Sequence, residues 1–118
     1  SQTLVNVFEN CPNLISLELC KCNEILGWAS TFKSLEGKKN LRELNISDNG
    51  GKVDDYAVEV IMNCFKRLRV LICRWNGIHR PDNVFHSLEK LDLSGCNLHE
   101  IYTNGRLLDQ YVDTIILV

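Results

Sequence analysis

Several kinds of chemistry are missing from these 118 residues before anything present is weighed. The formal net charge is only −2, too small for sequence-wide attraction to nucleic acid or to an acidic membrane. No apolar run approaches the roughly 18 residues that a membrane-spanning helix needs, so no membrane association is expected. The first residues lack the basic-then-apolar layout of a signal peptide, so targeting alone selects neither secretion nor the cytosol. His79, His86 and His99 stand in separate segments with no carboxylate or thiol at ligand spacing, and no metal site is expected. Cys20 and Cys22 alternate along one strand-like stretch, which points them to opposite faces. No nucleophile has a base placed beside it. Asn49-Gly50-Gly51-Lys52 is the nearest approach to a phosphate-binding loop, yet it lacks the length and glycine pattern of one. A turn is the simpler expectation for Gly50 and Gly51. The chain therefore reads as non-catalytic, with no cofactor.

What the chain does have is one pattern repeated. Leu14-x-x-Leu17-x-Leu19-x-x-Cys22 is followed by Leu41-x-x-Leu44-x-Ile46-x-x-Asn49, Leu68-x-x-Leu71-x-Cys73-x-x-Asn76 and Leu88-x-x-Leu91-x-Leu93-x-x-Cys96, and a fifth copy begins at Val112-x-x-Ile115-x-Leu117. The starts are 27, 27, 20 and 24 residues apart. Self-similarity at such a period marks a solenoid, in which each unit buries its apolar side against its neighbours. The hydrophobic fraction of 45% is ordinary for a folded chain. One domain, residues 1–118, is expected.

Within each copy the alternation has the period of a strand with one buried face. Stacked copies then form a parallel sheet, and the connecting segments return behind it. The returns differ. Residues 54–65 open with Asp54 and Asp55 and carry Ala57, Val60, Ile61, Cys64 and Phe65 as an apolar stripe, which predicts a helix. Ser1–Asn10 predicts another, with Leu4, Val7 and Phe8 inward, and the segment around Trp28, Phe32 and Leu35 a weaker one. Between the third and fourth copies Arg80-Pro81-Asp82-Asn83 breaks the chain, so Val84-Phe85-His86 has room for a single turn at most. The last return, Leu98 to Tyr111, contains the turn Thr103-Asn104-Gly105.

The repeated consensus resembles the leucine-rich repeat family over nearly the whole chain. Cys22 and the lead-in Cys11-Pro12-Asn13-Leu14 are nearest to its cysteine-containing subclass, common in F-box substrate receptors of cullin-type ubiquitin ligases; Asn76 and the short fourth return depart from that subclass. The resemblance implies an α/β horseshoe solenoid with a parallel concave sheet and a mixed helical and irregular convex side. It places Cys22 and Cys96 inward at the ninth position of their copies, and Cys73 inward at the sixth. Cys11 and Cys64 fall just before strands, at or near the inner wall. Secreted relatives carry a cysteine-clustered cap that is absent here, so reduced thiols and a cytoplasmic or nuclear protein are expected. The sequon Asn45-Ile46-Ser47 falls within a predicted strand. The unalternating end Ile115-Ile116-Leu117-Val118 suggests a piece of a longer array, with self-association through that open edge.

The strand residues that do not point inward form the exposed floor. Its third-position column is Ser16, Glu43, Val70, Lys90 and Thr114, and its fifth is Glu18, Asn45, Ile72, Asp92 and Ile116. The seventh is Cys20, Ser47, Arg74, Ser94 and Val118, and the eighth Lys21, Asp48, Trp75 and Gly95. Most of this is small or polar. The third copy differs, because Val70, Ile72, Arg74 and Trp75 set two aliphatics beside the two residue types most enriched in binding hot spots. They are the expected anchor for a partner protein, with Asn45, Asp48, Lys90 and Asp92 as the polar rim. An Arg74 pairing with Asp48 or Asp92 is the competing structural account. Lys66, Arg67, Arg69, Arg74, His79 and Arg80 crowd the same copy, but they fall on helix end, strand and turn, which disfavours a nucleic-acid surface. By resemblance the whole protein is a ubiquitin-ligase substrate receptor or, alternatively, the sensor segment of an intracellular innate immune receptor.

Overall fold

A computed structural model describes residues 2–22, 24–35, 40–81, 88–99 and 112–117. Helix α1 (Gln2–Asn10) leads into strand β1 (Ser16–Glu18); α2 (Trp28–Lys33), β2 (Glu43–Asn45), β3 (Gly50–Asp54) and α3 (Asp55–Cys64) follow. Strands β4 (Val70–Ile72), β5 (Asn76–Gly77), β6 (Leu88–Asp92) and β7 (Val112–Ile116) complete the described elements. Each apolar copy thus contributes one strand, and these five strands form an open parallel sheet in the order β1-β2-β4-β6-β7.

The register of that sheet follows the alignment of the copies. Ser16 lies beside Glu43, Glu43 beside Val70, Val70 beside Lys90 and Lys90 beside Thr114. A slip of one residue would turn every leucine outward, so the buried face fixes the pairing. Leu41, Leu44 and Ile46, then Leu68, Leu71 and Cys73, then Leu88, Leu91 and Leu93 are all buried. Leu14, Leu17 and Leu19 are half-buried, as befits an edge strand with one neighbour.

Behind the sheet the returns pack through aromatic rings. Trp28 stacks on Phe32 at 5.7 Å, Phe32 meets Phe65 edge-on at 5.8 Å, and Phe65 stacks on Phe8 at 5.9 Å. Such geometry adds about 0.5–1.5 kcal/mol per pair beyond area burial. The helix expected at 54–65 forms as α3, and the Asp54 carboxylate accepts the Ala57 N–H at 2.9 Å. This is the capping an aspartate provides at a helix start. In α1, Leu4 and Phe8 are buried and Val7 half-buried.

Two expectations need correction. Gly50 and Gly51 do not merely make a turn: they open β3, which pairs in parallel with β5 in a second, two-stranded sheet. A β-carbon on Gly77 would stand 3.0 Å from the Gly51 Cα, so side chains are excluded where these strands meet. Cys11 is exposed rather than at the inner wall, because its N–H still closes α1 on the Val7 carbonyl. The expected turn at Val84-Phe85-His86, the final return through Thr103-Asn104-Gly105, and Val118 lie outside the described residues.

Candidate functional site

The end of each strand is built by the residues that follow it, and this construction decides which side chains remain available. Successive copies share backbone bonds at equivalent places: Lys21, Asp48 and Trp75 each donate their N–H to the carbonyl of the seventh-position residue in the next copy, Ser47, Arg74 and Ser94. These eighth-position residues adopt positive φ, 54° at Lys21, 61° at Asp48 and 57° at Trp75, and Gly95 continues the column at 75°. The eighth column therefore turns the chain rather than lining the floor. Trp75 owes its unusual backbone to this shared turn, since Lys21 and Asp48 have it too.

The ninth-position side chains close the turns. Asn49 Nδ2 donates to the carbonyls of Leu19, Ile46 and Ser47, and its Oδ1 accepts the Cys22 N–H at 2.9 Å. Asn76 repeats the arrangement one copy later, donating to the Ile46 carbonyl and accepting the Asn49 N–H. Cys96 takes the same place with a thiol, donating to the Cys73 carbonyl at 3.1 Å. The amide offers a strong donor and a strong acceptor on separate atoms, for which a thiol, weak in both roles, is a poor substitute.

Above these turns the third- and fifth-position side chains share one open face. An open depression there is lined by Ser16, Glu18, Glu43, Asn45, Val70, Ile72 and Lys90. Glu18 and Glu43 are exposed, while Val70, Ile72 and Lys90 are half-buried. Carboxylates thus occupy the β1–β2 side, aliphatics β4, and an ammonium β6. Among the described residues none of Glu18, Glu43 and Lys90 has an ion-pair partner.

The predicted anchor does not hold together as a single cluster. Val70 and Ile72 do face the depression, and Lys90 stands beside them. Arg74 instead reaches the Asp92 carboxylate through Nε at 2.5 Å, which is the competing structural account. Asp92 is fully buried, so it cannot serve as the rim residue expected of it. Its other partners are the Ser94 hydroxyl at 2.6 Å and the Ser94 N–H at 3.0 Å. Burial alone would raise its pKa, but the bonds from Ser94 and the Arg74 guanidinium outweigh it and hold the carboxyl below its usual value. Asn45 is half-buried and spends Oδ1 on the Ser47 N–H. Ser47, placed on the floor by its position, is buried with its hydroxyl accepting the Arg74 N–H. Asp48 is exposed on its turn.

Trp75 is 61% exposed and lies against the next turn, where a β-carbon on Gly95 would overlap its ring. It is apart from the depression that Val70 and Ile72 line. Ser16, Glu18 and Glu43 are the polar lining residues not expected as site residues. Their columns placed them on the floor, but each looks individually like ordinary solvated strand surface.

Three of the described thiols are moved away from nucleophilic character. Burial pushes the thiols of Cys22, Cys73 and Cys96 up, Cys73 well above the ordinary value, the reverse of what an attacking thiolate needs. No group of three metal-ligating side chains occurs among the described residues. All six cysteines are free thiols. The basic residues of the third copy are dispersed: Arg69 pairs with Glu89 at 3.6 Å, Arg74 with Asp92, and the backbone at His79 and Arg80 is held by the Asp55 carboxylate. No described helix is long and apolar enough to cross a membrane.

The Leucine Rich Repeat family model matches residues 87–107, the copy that contributes β6. No curated protein and no solved structure matches the chain. The family match supports a leucine-rich repeat protein, and such domains generally mediate protein–protein contacts and are typically non-catalytic.

Proposed function

We propose that the chain is a segment of a leucine-rich-repeat solenoid that binds another protein on the concave face of its parallel sheet. The observation that carries this reading is the depression in which half-buried Val70 and Ile72 are flanked by charges that form no ion pair among the described residues. Partly exposed apolar surface rimmed by polar groups is the usual mark of a protein contact. Val70 and Ile72 form the centre, Asn45 and Lys90 stand at its rim, and exposed Trp75, Arg74 and Asp48 extend the contact at the turns.

The thiols that replace asparagine at Cys22 and Cys96 favour the cysteine-containing subclass. On that basis the parent protein is an intracellular substrate receptor of a cullin-type ubiquitin ligase. Quantitative affinity purification from cells, comparing the chain with a Val70→Asp/Ile72→Asp variant of unchanged circular dichroism, tests the reading. Partners lost only in the variant, with ligase subunits among the proteins recovered with the parent, support it. Identical partner lists overturn the assignment of the face.

A further inference from the structure

We infer that the open face takes an extended peptide segment of another protein carrying a basic, an aliphatic and an acidic side chain at alternate positions. The inference rests on the protein-binding reading above and names the chemistry of the partner.

Three features of the face combine to select that occupant. Glu18 and Glu43 are exposed carboxylates on the adjacent strands β1 and β2, with no ion-pair partner among the described residues. Lys90 is a half-buried cation on β6, with no anion beside it among those residues. They do not pair with one another: β4 stands between them and presents Val70 and Ile72. Of the other charged groups nearby, Arg74 is committed to Asp92 and Arg69 to Glu89, while Arg42 lines a neighbouring depression with Glu43 without forming an ion pair to it. Unsatisfied charge of opposite sign at the two ends, with aliphatic surface between, is complementary to a ligand of the reversed order.

Spacing supports an extended segment. Three strand-to-strand steps separate β1 from β6, roughly 14 Å at about 4.8 Å each. In an extended chain, residues i, i+2 and i+4 face the same side and span about 14 Å. A lysine or arginine at i then meets Glu18 and Glu43, a valine, leucine or isoleucine at i+2 covers Val70 and Ile72, and an aspartate or glutamate at i+4 meets Lys90. The half-buried state of Val70, Ile72 and Lys90 fits partial cover by a single strand-like segment.

Panning a phage-displayed library of random nonapeptides against the immobilised chain tests this. The expected result is enrichment of the basic–aliphatic–acidic order at alternate positions, with binding weakened at least tenfold in Glu18→Lys/Glu43→Lys. Reselection on that variant should favour acidic residues where the wild type favours basic ones. Enriched peptides that are lost in Val70→Asp/Ile72→Asp but ignore Glu18→Lys/Glu43→Lys overturn the charge order and leave the face as a binding surface. Peptides indifferent to both variants, or no enrichment at all, overturn the inference and the reading beneath it. Thermal melts of each variant exclude unfolding, since Glu18 and Glu43 are exposed and Val70 and Ile72 only half-buried.

Discussion

Asn76 and Cys96 hold equivalent places in successive copies, yet the bonds they make are unequal. Asn76 satisfies two buried backbone groups, the Ile46 carbonyl and the Asn49 N–H. Replacing it with alanine leaves the Asn49 N–H without its acceptor, while the Ile46 carbonyl keeps the Asn49 amide, so the loss should be about 1–3 kcal/mol. Cys96→Ala removes only weak thiol bonds, to the Cys73 carbonyl and from the backbone of Asn76, Ile78 and Trp75, at a half-buried position and should cost about 1 kcal/mol. Urea denaturation of both variants checks the ordering, and equal losses would show that the amide is not what closes the turn. Asp92 offers a second test. Its pKa lies below the unfolded value of about 3.9, so it stabilises the fold above that pH and ceases to as pH falls through the folded value. The stability difference between the wild type and Asp92→Asn should be largest near neutrality and shrink below about pH 4. A difference independent of pH would mean the carboxylate is not stabilised by Ser94 and Arg74. At this scale the sequence was legible only in part. Residue columns told which face Asp92 starts from, but its burial depends on where the Arg74 side chain comes to rest, and two acceptors competed for it.

The eighth-position turn is a property of the element, repeated in the first four copies. An L-residue there bears a left-handed backbone that glycine adopts freely, and Gly95 shows the form such a turn takes without a side chain. Lys21 is exposed, and its side chain makes no hydrogen bond or ion pair within the described residues. Lys21→Gly should therefore raise stability by about 0.5–1 kcal/mol, even after the greater entropy of the unfolded glycine chain is counted. A fall in melting temperature would show that the side chain packs in a way its exposure conceals. Helix α3 was legible because Asp54 and the apolar spacing after it announce a helix without outside help. Strand β3 was not, since its partner β5 is two residues long and the pairing rests on a close approach of glycines 26 positions apart (Gly51 to Gly77). The turn conformation was likewise hidden, because lysine, aspartate and tryptophan have no common preference for it.

Across the whole molecule, the inward leucines carry the fold. Leu91 is fully buried between two strand neighbours, whereas Leu17 is half-buried on the edge strand β1. A charge at Leu91 has neither water nor a partner and should cost several kcal/mol, enough to abolish cooperative unfolding at 25 °C. Leu17→Asp should cost about 1–2 kcal/mol and leave a cooperative transition. A Leu91→Asp protein with the wild-type urea midpoint would show the register to be wrong. The strands and their register were the most legible part of this chain, since they follow from apolar spacing repeated five times. The candidate site was less so: Val70, Ile72 and Lys90 emerged together, while Trp75 and Arg74 left the group because turn geometry, not strand alternation, governs the last residues of each copy.

The bonds by which Asn49 and Asn76 join two copies set a later side chain against earlier backbone. Cys22 gives its amide hydrogen to Asn49, 27 residues later, and Asn49 gives its own to Asn76 after another 27. During synthesis from the amino end, each turn therefore emerges before the side chain that completes it has been made. The growing chain runs one copy ahead of its own stability, and the copies that end in Asn49 and Asn76 each lock the one before.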